Sequence, residues 1–467
     1  MMVTVVGAGP TGLVVACGLL GAGVPVRLVD RAEGAATTSR ALGLQPRGTE
    51  VLDRLGALGD LRGRSIGIDR ISMHVNGKHL TDLRVGRMTK LVTRRVLMIP
   101  QAEIEGALRR RFTELGGTIE WATEVVRVEQ HEHGVALTTA DARPTRSDWL
   151  VGCDGAHSAV RKAVGIGFPG VPLAERFLIA DVRVDLPLPR DATAVWLRGK
   201  DVLLAIPLPG KDLWRIMAPA PADEDITLVD LRKAHAGISA VFGETLWTSS
   251  FRFHRRLADT YRRNRLVLAG DAAHVHSLFG GQGMNTGMGD AENLAWKLAL
   301  VADGRAGSAL LDTYEAERRP IAADVLASTT GLTRLVVGDT PLSRLLRDRM
   351  IVPLINLPLV QRLIAEKSSQ LKVSYRKGPL GGRGLGGRVP DREIGETRLH
   401  AELGTRWVFL GPDELGAVAG KRLGDEHVTV LPTDGEAMLV RPDGHLAWRG
   451  APVPDALDAR LTGILGA

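Results

Sequence analysis

Cysteine is scarce in this chain. Only Cys17 and Cys153 occur among its 467 residues, and this pair provides neither a disulfide framework nor the CxxC spacing of a redox or zinc site. The histidine pairs of the sequence have no neighbouring cysteine or acid cluster, so we expect no metal site. Because thiols this sparse suit a reducing compartment, we expect a cytoplasmic protein.

Basic residues are missing from the start of the sequence, where none precedes Arg27. A signal peptide needs positive charge before its apolar stretch, so we expect no targeting segment. The apolar run Val14–Val26 is too short and too interrupted by glycine to span a bilayer. The net charge of +7 is dispersed along the chain, without a lysine-rich tail. We therefore expect neither a nucleic-acid nor a membrane partner.

The chain opens with the pattern of a nucleotide-binding βαβ unit. Met2–Val6 predicts a buried parallel strand, Leu13–Leu20 a buried helix and Val24–Val29 a second strand. A GxGxxG sequence joins the first strand to the helix, and an acid follows the second strand at the expected spacing. The candidate cofactor residues of this unit are Gly7, Gly9, Pro10, Thr11, Gly12, Asp30 and Arg31.

Each part of this unit has a physical role. The first glycine permits a tight turn, the second lets a pyrophosphate approach the backbone, and the third lets the helix pack on the strand. The helix start offers free N–H groups and a positive dipole end to the phosphates, and Asp30 would accept hydrogen bonds from a ribose. These features predict a dinucleotide site but do not distinguish FAD from NAD.

Two later stretches, Asp148–Arg161 and Arg265–His274, complete a set of three ordered motifs. Together with the glycine loop they resemble the signatures of the aromatic-ring flavoprotein monooxygenases, the p-hydroxybenzoate hydroxylase-like family. Within that family the chain looks most similar to bacterial aromatic polyketide hydroxylases and rifampicin monooxygenases. The resemblance covers nearly the whole chain, and it selects FAD as the cofactor.

The resemblance implies an α/β protein with three parts, and 467 residues are indeed too many for one ordinary core. We expect a Rossmann-like FAD-binding domain with a mixed sheet, an antiparallel-sheet substrate domain, and a degenerate thioredoxin-like domain. Their expected ranges are 1–70, 91–170 and 259–375 for the first, 71–90 and 171–258 for the second, and 389–467 for the third.

The third motif places Asp271 at the end of a strand, where it can bind the ribityl hydroxyls of a flavin. A glycine-rich turn and an apolar-faced helix follow. The resemblance directs the helix start to the flavin ring, through Gly281, Gly283, Met284 and Asn285. Asp154, in the second motif, matches a residue linked to both FAD and NADPH. Its alternative is a cap for a helix at His157–Val164.

Three smaller matches follow from the resemblance. Arg40 corresponds to an arginine that meets the FAD phosphates through charge-assisted hydrogen bonds, and its alternative is a surface arginine. Gln101 corresponds to a glutamine near the flavin ribose, or it is simply the first residue of a helix. Val125 corresponds to a backbone contact with adenine, and its alternative is ordinary strand packing.

One stretch departs from the family pattern. The family commonly has a proline before the glycine turn, and Leu278 stands at that position, followed by Phe279 and Gly280. Leucine neither fixes the backbone nor removes an N–H group as proline does. We therefore predict a reshaped, more apolar pocket here, with His276 as a candidate acid–base group. No catalytic base for a phenol stands out.

The family chemistry implies that NADPH (or NADH) reduces FAD and that O2 then gives a C4a-hydroperoxyflavin. Its distal oxygen would hydroxylate an aromatic, polyketide-type small molecule in antibiotic biosynthesis or modification. Baeyer–Villiger oxygen insertion on the same scaffold is one alternative, and a non-catalytic flavin- or ligand-binding partner is another. We expect a monomer or a homodimer.

The remaining sequence gives coarser expectations. Short strands between the second and third motifs predict an antiparallel sheet, in which Trp196 and Trp214 either line the substrate pocket or belong to a core. Helices are predicted at Thr227–Val241, Leu310–Ile321 and Val325–Leu346.

Overall fold

The computed structural model describes residues 1–38, 41–86, 89, 91–141, 144–198, 201–220, 241–276, 281–337, 345–433 and 435–466. The β-strands, in chain order, are β1 Val3–Val6, β2 Val26–Val29, β3 Leu42–Leu44, β4 Ile66–Ile68, β5 Arg70–Val75, β6 Lys78–Arg84, β7 Val96–Pro100, β8 Ile119–Glu120, β9 Val125–His131, β10 Gly134–Thr139, β11 Pro144–Ser147, β12 Trp149–Gly152, β13 Gly170–Asp185, β14 Ala192–Arg198, β15 Asp201–Pro207, β16 Leu213–Ala220, β17 Val241–Leu257, β18 Arg262–Arg263, β19 Leu266–Leu268, β20 His274–Val275, β21 Glu393–Ile394, β22 Thr397–Arg398, β23 Trp407–Leu410, β24 Val428–Leu431, β25 Ala437–Val440 and β26 Leu446–Gly450.

The α-helices are α1 Pro10–Gly21, α2 Pro46–Arg54, α3 Gln101–Glu114, α4 Ala159–Ala163, α5 Gly283–Ala302, α6 Asp312–Val337, α7 Val352–Leu354, α8 Pro358–Ser368, α9 Leu399–Glu402, α10 Asp413–Leu423 and α11 Pro454–Leu465. Short 3-10 turns cover Gly270–Ala272, Ser308–Leu311 and Asp425–His427. Within the described ranges, none of these helices combines the length and the apolar character needed to span a membrane.

The nucleotide-type sheet has the strand order β18-β19-β12-β1-β2-β8. β1 pairs in parallel with β2 on one side and with β12 on the other, and β19 continues the parallel run beyond β12. All residues of β1, β12 and β19 are buried. Continuous apolar runs of this kind are typical of parallel strands covered by helices on both faces. This confirms the predicted opening βαβ unit.

The second large sheet has the order β20-β17-β13-β16-β15-β14-β5-β6. Neighbouring strands are antiparallel except for β14 and β5, which run parallel. Alternate side chains therefore face opposite sides of the sheet. Strands β5 and β6 come from a segment that precedes the second motif, so this sheet is assembled from two separated parts of the chain.

The C-terminal region forms a four-stranded sheet with the order β24-β23-β25-β26, flanked by α10 and α11. Its core is continuous with that of the nucleotide-type sheet, because Phe409 and Leu457 belong to the same buried cluster as Val5 and Leu294. The ring centroids of Trp296 and Trp407 lie 5.1 Å apart in an edge-on contact across the join. The region is thus packed as part of one body.

The predicted break between two helices after the third motif is wrong. A single helix, α6, runs through residues 322–324, where the break was expected, and it also contains Pro320, while Leu310 and Leu311 form the end of a 3-10 turn. A proline inside a helix removes a hydrogen bond. Here the preceding residues Glu317 and Arg318 are buried in ion pairs, which hold the turn in place. The predicted helix at Thr227–Val241 falls almost entirely outside the described residues.

Candidate active site

The carboxyl ends of four neighbouring strands meet at one edge of the nucleotide-type sheet. β1 lies between β2 and β12, and β19 follows β12. The chain continues from β1 into the glycine loop and from β2 into Asp30. It continues from β12 towards Asp154 and from β19 towards Asp271. Open α/β sheets bind ligands at such an edge, where the strand order reverses. The fold therefore brings the motifs of three separated parts of the chain to one place.

Two glycines allow these motifs to touch. A Cβ on Gly7, whose φ is +105°, would lie 2.4 Å from the carbonyl oxygen of Cys153 in the second motif. A Cβ on Gly270, whose φ is +62°, would lie 2.5 Å from Oγ1 of Thr11. Larger residues would clash at both positions, and both backbone conformations favour glycine. The first motif is thus packed directly against the other two.

Gly9 has the opposite environment. A Cβ at this position would meet no described atom within 4 Å, so the backbone borders open space. Gly9 is the N-cap of α1, no described side chain caps this helix start, and Pro10 is its first residue. Uncapped N–H groups at a helix start attract anions. The open space and the helix start fit a pyrophosphate lying against the loop.

Asp30 braces the glycine loop. One oxygen of its carboxylate accepts a hydrogen bond from the backbone N–H of Ala8 at 2.7 Å, and the other accepts from the N–H of Ala32 at 2.8 Å. The side chain of Arg31 is exposed. Contact of either residue with a nucleotide remains a prediction.

Asp154 caps a short helix. Its Oδ2 accepts hydrogen bonds from the N–H groups of Ala159 and Val160 at 2.7 and 3.2 Å. The helix begins later and ends earlier than predicted from the sequence, because Ser158 is its N-cap. Oδ1 of Asp154 is buried and has no hydrogen-bond partner among the described residues. Capping therefore accounts for one carboxylate oxygen, and contact of the other with FAD or NADPH remains a prediction.

Asp271 lies in the 3-10 turn after β19, with its side chain exposed. The surrounding protein raises the pKa of its carboxyl by displacing solvent, the charge of Asp290 adds to this rise, and His274 opposes it. An exposed acid at the end of a central strand is in a position to accept hydrogen bonds from a ligand hydroxyl. Its ribityl contact remains a prediction.

Asn285 connects the glycine turn to a neighbouring loop. Its Oδ1 accepts a hydrogen bond from the N–H of Gln45 at 2.9 Å, and its Nδ2 donates to the carbonyl oxygens of Gly43 and Gly281, both at 3.0 Å. The helix α5 begins at Gly283. The side chain of Asn285 thus fixes the turn at the helix start, and any flavin contact would come from the backbone there.

Other predicted cofactor residues lie at element boundaries. Gln101 is the first residue of α3, and its Nε2 donates to Oε1 of Glu105 at 2.7 Å. Val125 is buried and opens β9. Met284 is half-buried in the first turn of α5. Each of these placements agrees with a packing or helix-start role and leaves the family role as a prediction.

Several predicted residues cannot be placed. Those outside the described residues are Arg40, Leu278, Phe279 and Gly280. His276 is described and half-buried, and its ring is stacked parallel to that of His274 with centroids 6.4 Å apart. The predicted reshaping of the pocket by Leu278 therefore remains a prediction.

A buried carboxylate beneath the Asp271 turn was missed by the sequence analysis. Asp290, on α5, pairs with Nε2 of His274 at 2.6 Å and with Nε of Arg318 at 2.7 Å. Burial pushes its pKa up, but Arg318 and His274 together lower the pKa below its ordinary value. The available signal was an acid directly among Gly287, Met288, Gly289 and Ala291, a setting in which a buried charge needs a partner.

A cavity of about 540 Å³ extends from the glycine turn to the inner face of the second sheet. This volume is typical of a site for a small organic molecule. Gly281 and Gln282 form its wall at the glycine turn, and α8 contributes Leu363 and Ile364. The sheet contributes mostly apolar side chains, which include Met73, Phe177, Val195, Leu197, Leu204 and Met217.

One charged side chain from the sheet also lines this cavity. Arg215 is 2% exposed, and its Nε and Nη2 donate to the two oxygens of Asp181 at 2.7 and 2.8 Å. Asp181 and Ile206 flank Arg215 in register across the sheet. The guanidinium also lies 5.2 Å from the ring centroid of Trp247. Arg215 thus gives the sheet side of the cavity a polar, planar group.

Trp196 and Trp214 face away from the cavity. Both belong to a separate buried cluster on the opposite side of the sheet, with Val182 and Leu203. Their core interpretation is therefore confirmed, and the pocket interpretation is wrong. The alternation of side chains along a strand places these residues on the face that the cavity residues do not share.

Comparison with known proteins agrees with this arrangement. The FAD binding domain family matches residues 1–329, and the aromatic-ring hydroxylase C-terminal family matches residues 384–467. A rifampicin monooxygenase from Streptomyces venezuelae is 35% identical, with 96% of this chain and 95% of the relative covered. A dialkyldecalin synthase from Streptomyces rugosporus is 33% identical, with 98% and 97% covered.

Solved structures agree as well. The anhydrotetracycline hydroxylase OxyS from Streptomyces rimosus superposes with a TM-score of 0.82 at 33% identity, and the match covers 100% of both chains. Family matches to most of the chain, full-length relatives and a shared architecture all agree. This chain therefore belongs to the FAD-binding aromatic-ring monooxygenase family.

Proposed function

We propose that this protein is an FAD-dependent, NAD(P)H-consuming monooxygenase that hydroxylates an aromatic, polyketide-type small molecule. One observation carries the proposal, namely the apolar cavity that opens directly onto the glycine turn where α5 begins. A flavin bound along the strand ends would present its ring at that turn. The oxidising cofactor and an aromatic substrate would then meet inside one enclosed space.

Residues of the strand-end edge fit the parts of FAD. The start of α1 would hold the pyrophosphate at Gly9, Asp30 would bind the ribose, and Asp271 would bind the ribityl chain. The backbone at the start of α5 would face the flavin ring with its positive dipole end. Bound FAD would take a hydride from NADPH or NADH and activate O2, so that one oxygen atom enters the substrate and the other leaves as water.

The cavity residues would position the substrate and exclude water. Apolar side chains from the sheet and from α8 would cover a flat, multi-ring molecule, which buries most of its surface in such a pocket. The Arg215–Asp181 pair would orient a carbonyl or phenol oxygen of that molecule, because a guanidinium donates hydrogen bonds in a fixed plane. Holding the ring in one orientation would select the carbon that is hydroxylated.

The names of two relatives support an antibiotic-type substrate, since they act on rifampicin and anhydrotetracycline. We therefore propose a substrate with fused aromatic rings from antibiotic biosynthesis or modification. Baeyer–Villiger insertion on the same scaffold is a variant of this proposal. The similarity to a dialkyldecalin synthase favours a second candidate, a cyclisation catalysed without consumption of O2.

One experiment separates these candidates. The purified, FAD-loaded protein is incubated with anhydrotetracycline as probe, with NADPH or NADH, under ¹⁸O2. We expect stimulated NAD(P)H oxidation and a product that contains one labelled oxygen atom. A phenolic product indicates hydroxylation, and a lactone indicates insertion. Failure to bind FAD would contradict the proposal, and so would an isomerised product formed without O2 and NAD(P)H.

A further inference from the structure

A turn of the C-terminal region reaches the nucleotide-type sheet through buried polar contacts. His445, between β25 and β26, is fully buried, and its ring centroid lies 4.2 Å from that of Tyr375. Tyr375 is itself buried. Its hydroxyl accepts a hydrogen bond from Nη1 of Arg318 at 3.1 Å. The C-terminal region thus reaches Arg318 of α6 through Tyr375.

Arg318 connects Tyr375 to the edge of the nucleotide-type sheet where the ends of β1, β2, β12 and β19 meet, which we call the cofactor edge. Its Nε donates to Oδ1 of Asp290 at 2.7 Å, and its Nη2 donates to the carbonyl oxygen of Thr286 at 3.0 Å. Both of these acceptors belong to α5, the helix that begins at the glycine turn. One guanidinium therefore holds α5 and α6 together near the end of α5 that would face the flavin ring.

Asp290 then holds both ends of the Asp271 turn. Its Oδ2 accepts a hydrogen bond from the backbone N–H of Gly270 at 3.3 Å and pairs with Nε2 of His274 at 2.6 Å. Gly270 and His274 lie on either side of Asp271 in the chain. We call the series His445, Tyr375, Arg318, Asp290 and His274 the buried relay. Each member is buried.

The need to fill the interior does not by itself explain why the relay contains charged residues. Buried ion pairs are costly to desolvate, and apolar residues of similar volume often stabilise a core equally well. What a buried pair does provide is geometry, because a charge without its partner is strongly unfavourable there. In addition, water cannot replace a lost contact in the interior, so the relay tolerates few arrangements.

We propose that the C-terminal region sets the position of the Asp271 turn, and thereby the affinity for FAD, through the buried relay. Tyr375 and His445 are positioning residues in this scheme, since they act through Arg318 and Asp290. The inference rests on the proposed ribityl role of Asp271. It gives the C-terminal region a part in cofactor binding although none of its described residues lies at the cofactor edge.

The test uses the full-length protein and the variant Tyr375→Phe, which removes only the hydroxyl that Arg318 contacts. The matched control is Arg388→Gln, which breaks another buried ion pair across the same join, between Arg388 and Glu50 on α2, where Nε lies 3.0 Å from Oε2. The side chains of that pair form no described hydrogen bond with a relay member. The backbone of Arg388 does pair with that of His445 in an antiparallel bridge, which the substitution retains. The readouts are the Kd for FAD, the midpoint potential of the bound flavin, the Tm of the apoprotein, and hydrogen exchange of residues 270–274 in the apoprotein.

We expect Tyr375→Phe to weaken FAD binding about tenfold, as befits one lost hydrogen bond to a charged group, to shift the flavin potential, and to speed exchange at the turn. The control should lower the Tm while the Kd stays within about twofold of wild type. A Tyr375→Phe protein with wild-type Kd and exchange overturns the inference and leaves the proposed function intact. A wild-type protein that binds no FAD overturns both, and the exchange data then show whether the relay still orders the turn.

Discussion

The apolar cavity and the join between the C-terminal region and the nucleotide-type sheet are both buried, but they differ in the polarity of their side chains. The cavity is lined mainly by aliphatic side chains, and its charged lining residues are Arg215, Arg347 and Lys367. The join contains Glu317, Lys297, Arg441 and Asp443 in mutual ion pairs, all almost fully buried. Apolar walls accept ligands in many poses, whereas buried charges accept one geometry. The protein therefore uses charge where its own parts must fit in a single way.

The largest expected effect tests the join. Burial raises the pKa of Glu317, but Arg441 and Lys297 outweigh this and lower it to about 2. Glu317→Ala would leave both cations without this partner, and we expect a loss of about 3–5 kcal/mol in the free energy of unfolding. Urea denaturation measures it. The control Glu129→Ala removes an exposed pair with Arg127 and should cost below about 1 kcal/mol. Equal losses for both variants would show that the buried charges of the join contribute no more than an exposed pair.

Acid should weaken the same join. Burial lowers the pKa of His445 to about 4, against the opposing effect of Asp443, so the folded protein keeps it neutral. The unfolded chain binds the proton near pH 6.5. The His445 contribution to stability is therefore intact above pH 6.5 and falls by about 3 kcal/mol as the pH drops to 4. Unfolding curves of wild type and His445→Gln across this range measure the difference, and parallel pH profiles would contradict the assignment.

A substitution at the cofactor edge should have a smaller effect. Asp271→Ala removes an acceptor of the proposed ribityl contact, worth about 1–3 kcal/mol. FAD binding should therefore weaken by roughly 5- to 150-fold, as measured by titration of the apoprotein. Asp271→Asn keeps one acceptor oxygen and should fall between Ala and wild type. Full FAD occupancy in the alanine variant at limiting FAD would show that the acid is not a ligand.

The smallest expected effect concerns Arg215, which lines the cavity and pairs with Asp181. Arg215→Met keeps the volume and removes the planar donor, and we expect KM for anhydrotetracycline to rise about tenfold. Arg183→Met, which removes an exposed arginine paired with Asp212 on the same sheet, should leave KM unchanged. An unchanged KM in Arg215→Met would mean that apolar contact alone positions the ring.

Local patterns made much of the fold predictable. The strands Val3–Val6 and Trp407–Leu410 were recognisable because apolar, β-branched or aromatic residues occur in short runs bounded by turns. The three motifs also indicated which segments would meet, because parallel strands end at one edge of a sheet. These inferences depend on neighbours in sequence, so a single chain is enough to make them.

The buried charges could not be predicted in the same way. Arg318 and Glu317 look like solvated positions on a helix, and their partners Asp290 and Arg441 lie far away in the sequence. Only tertiary packing shows that these side chains are buried, and nothing local pairs one with another. The continuity of α6 across residues 322–324 was missed for the same reason, because distant ion pairs of Glu317 and Arg318 hold the preceding turn in place.

The edge-on contact of Trp296 with Trp407 has a practical consequence. Both rings are shielded from water, and one belongs to α5 while the other belongs to the C-terminal sheet. Separation of the two parts would expose both indoles and shift their emission to longer wavelength. Intrinsic fluorescence thus offers an optical reporter of C-terminal detachment that needs no label.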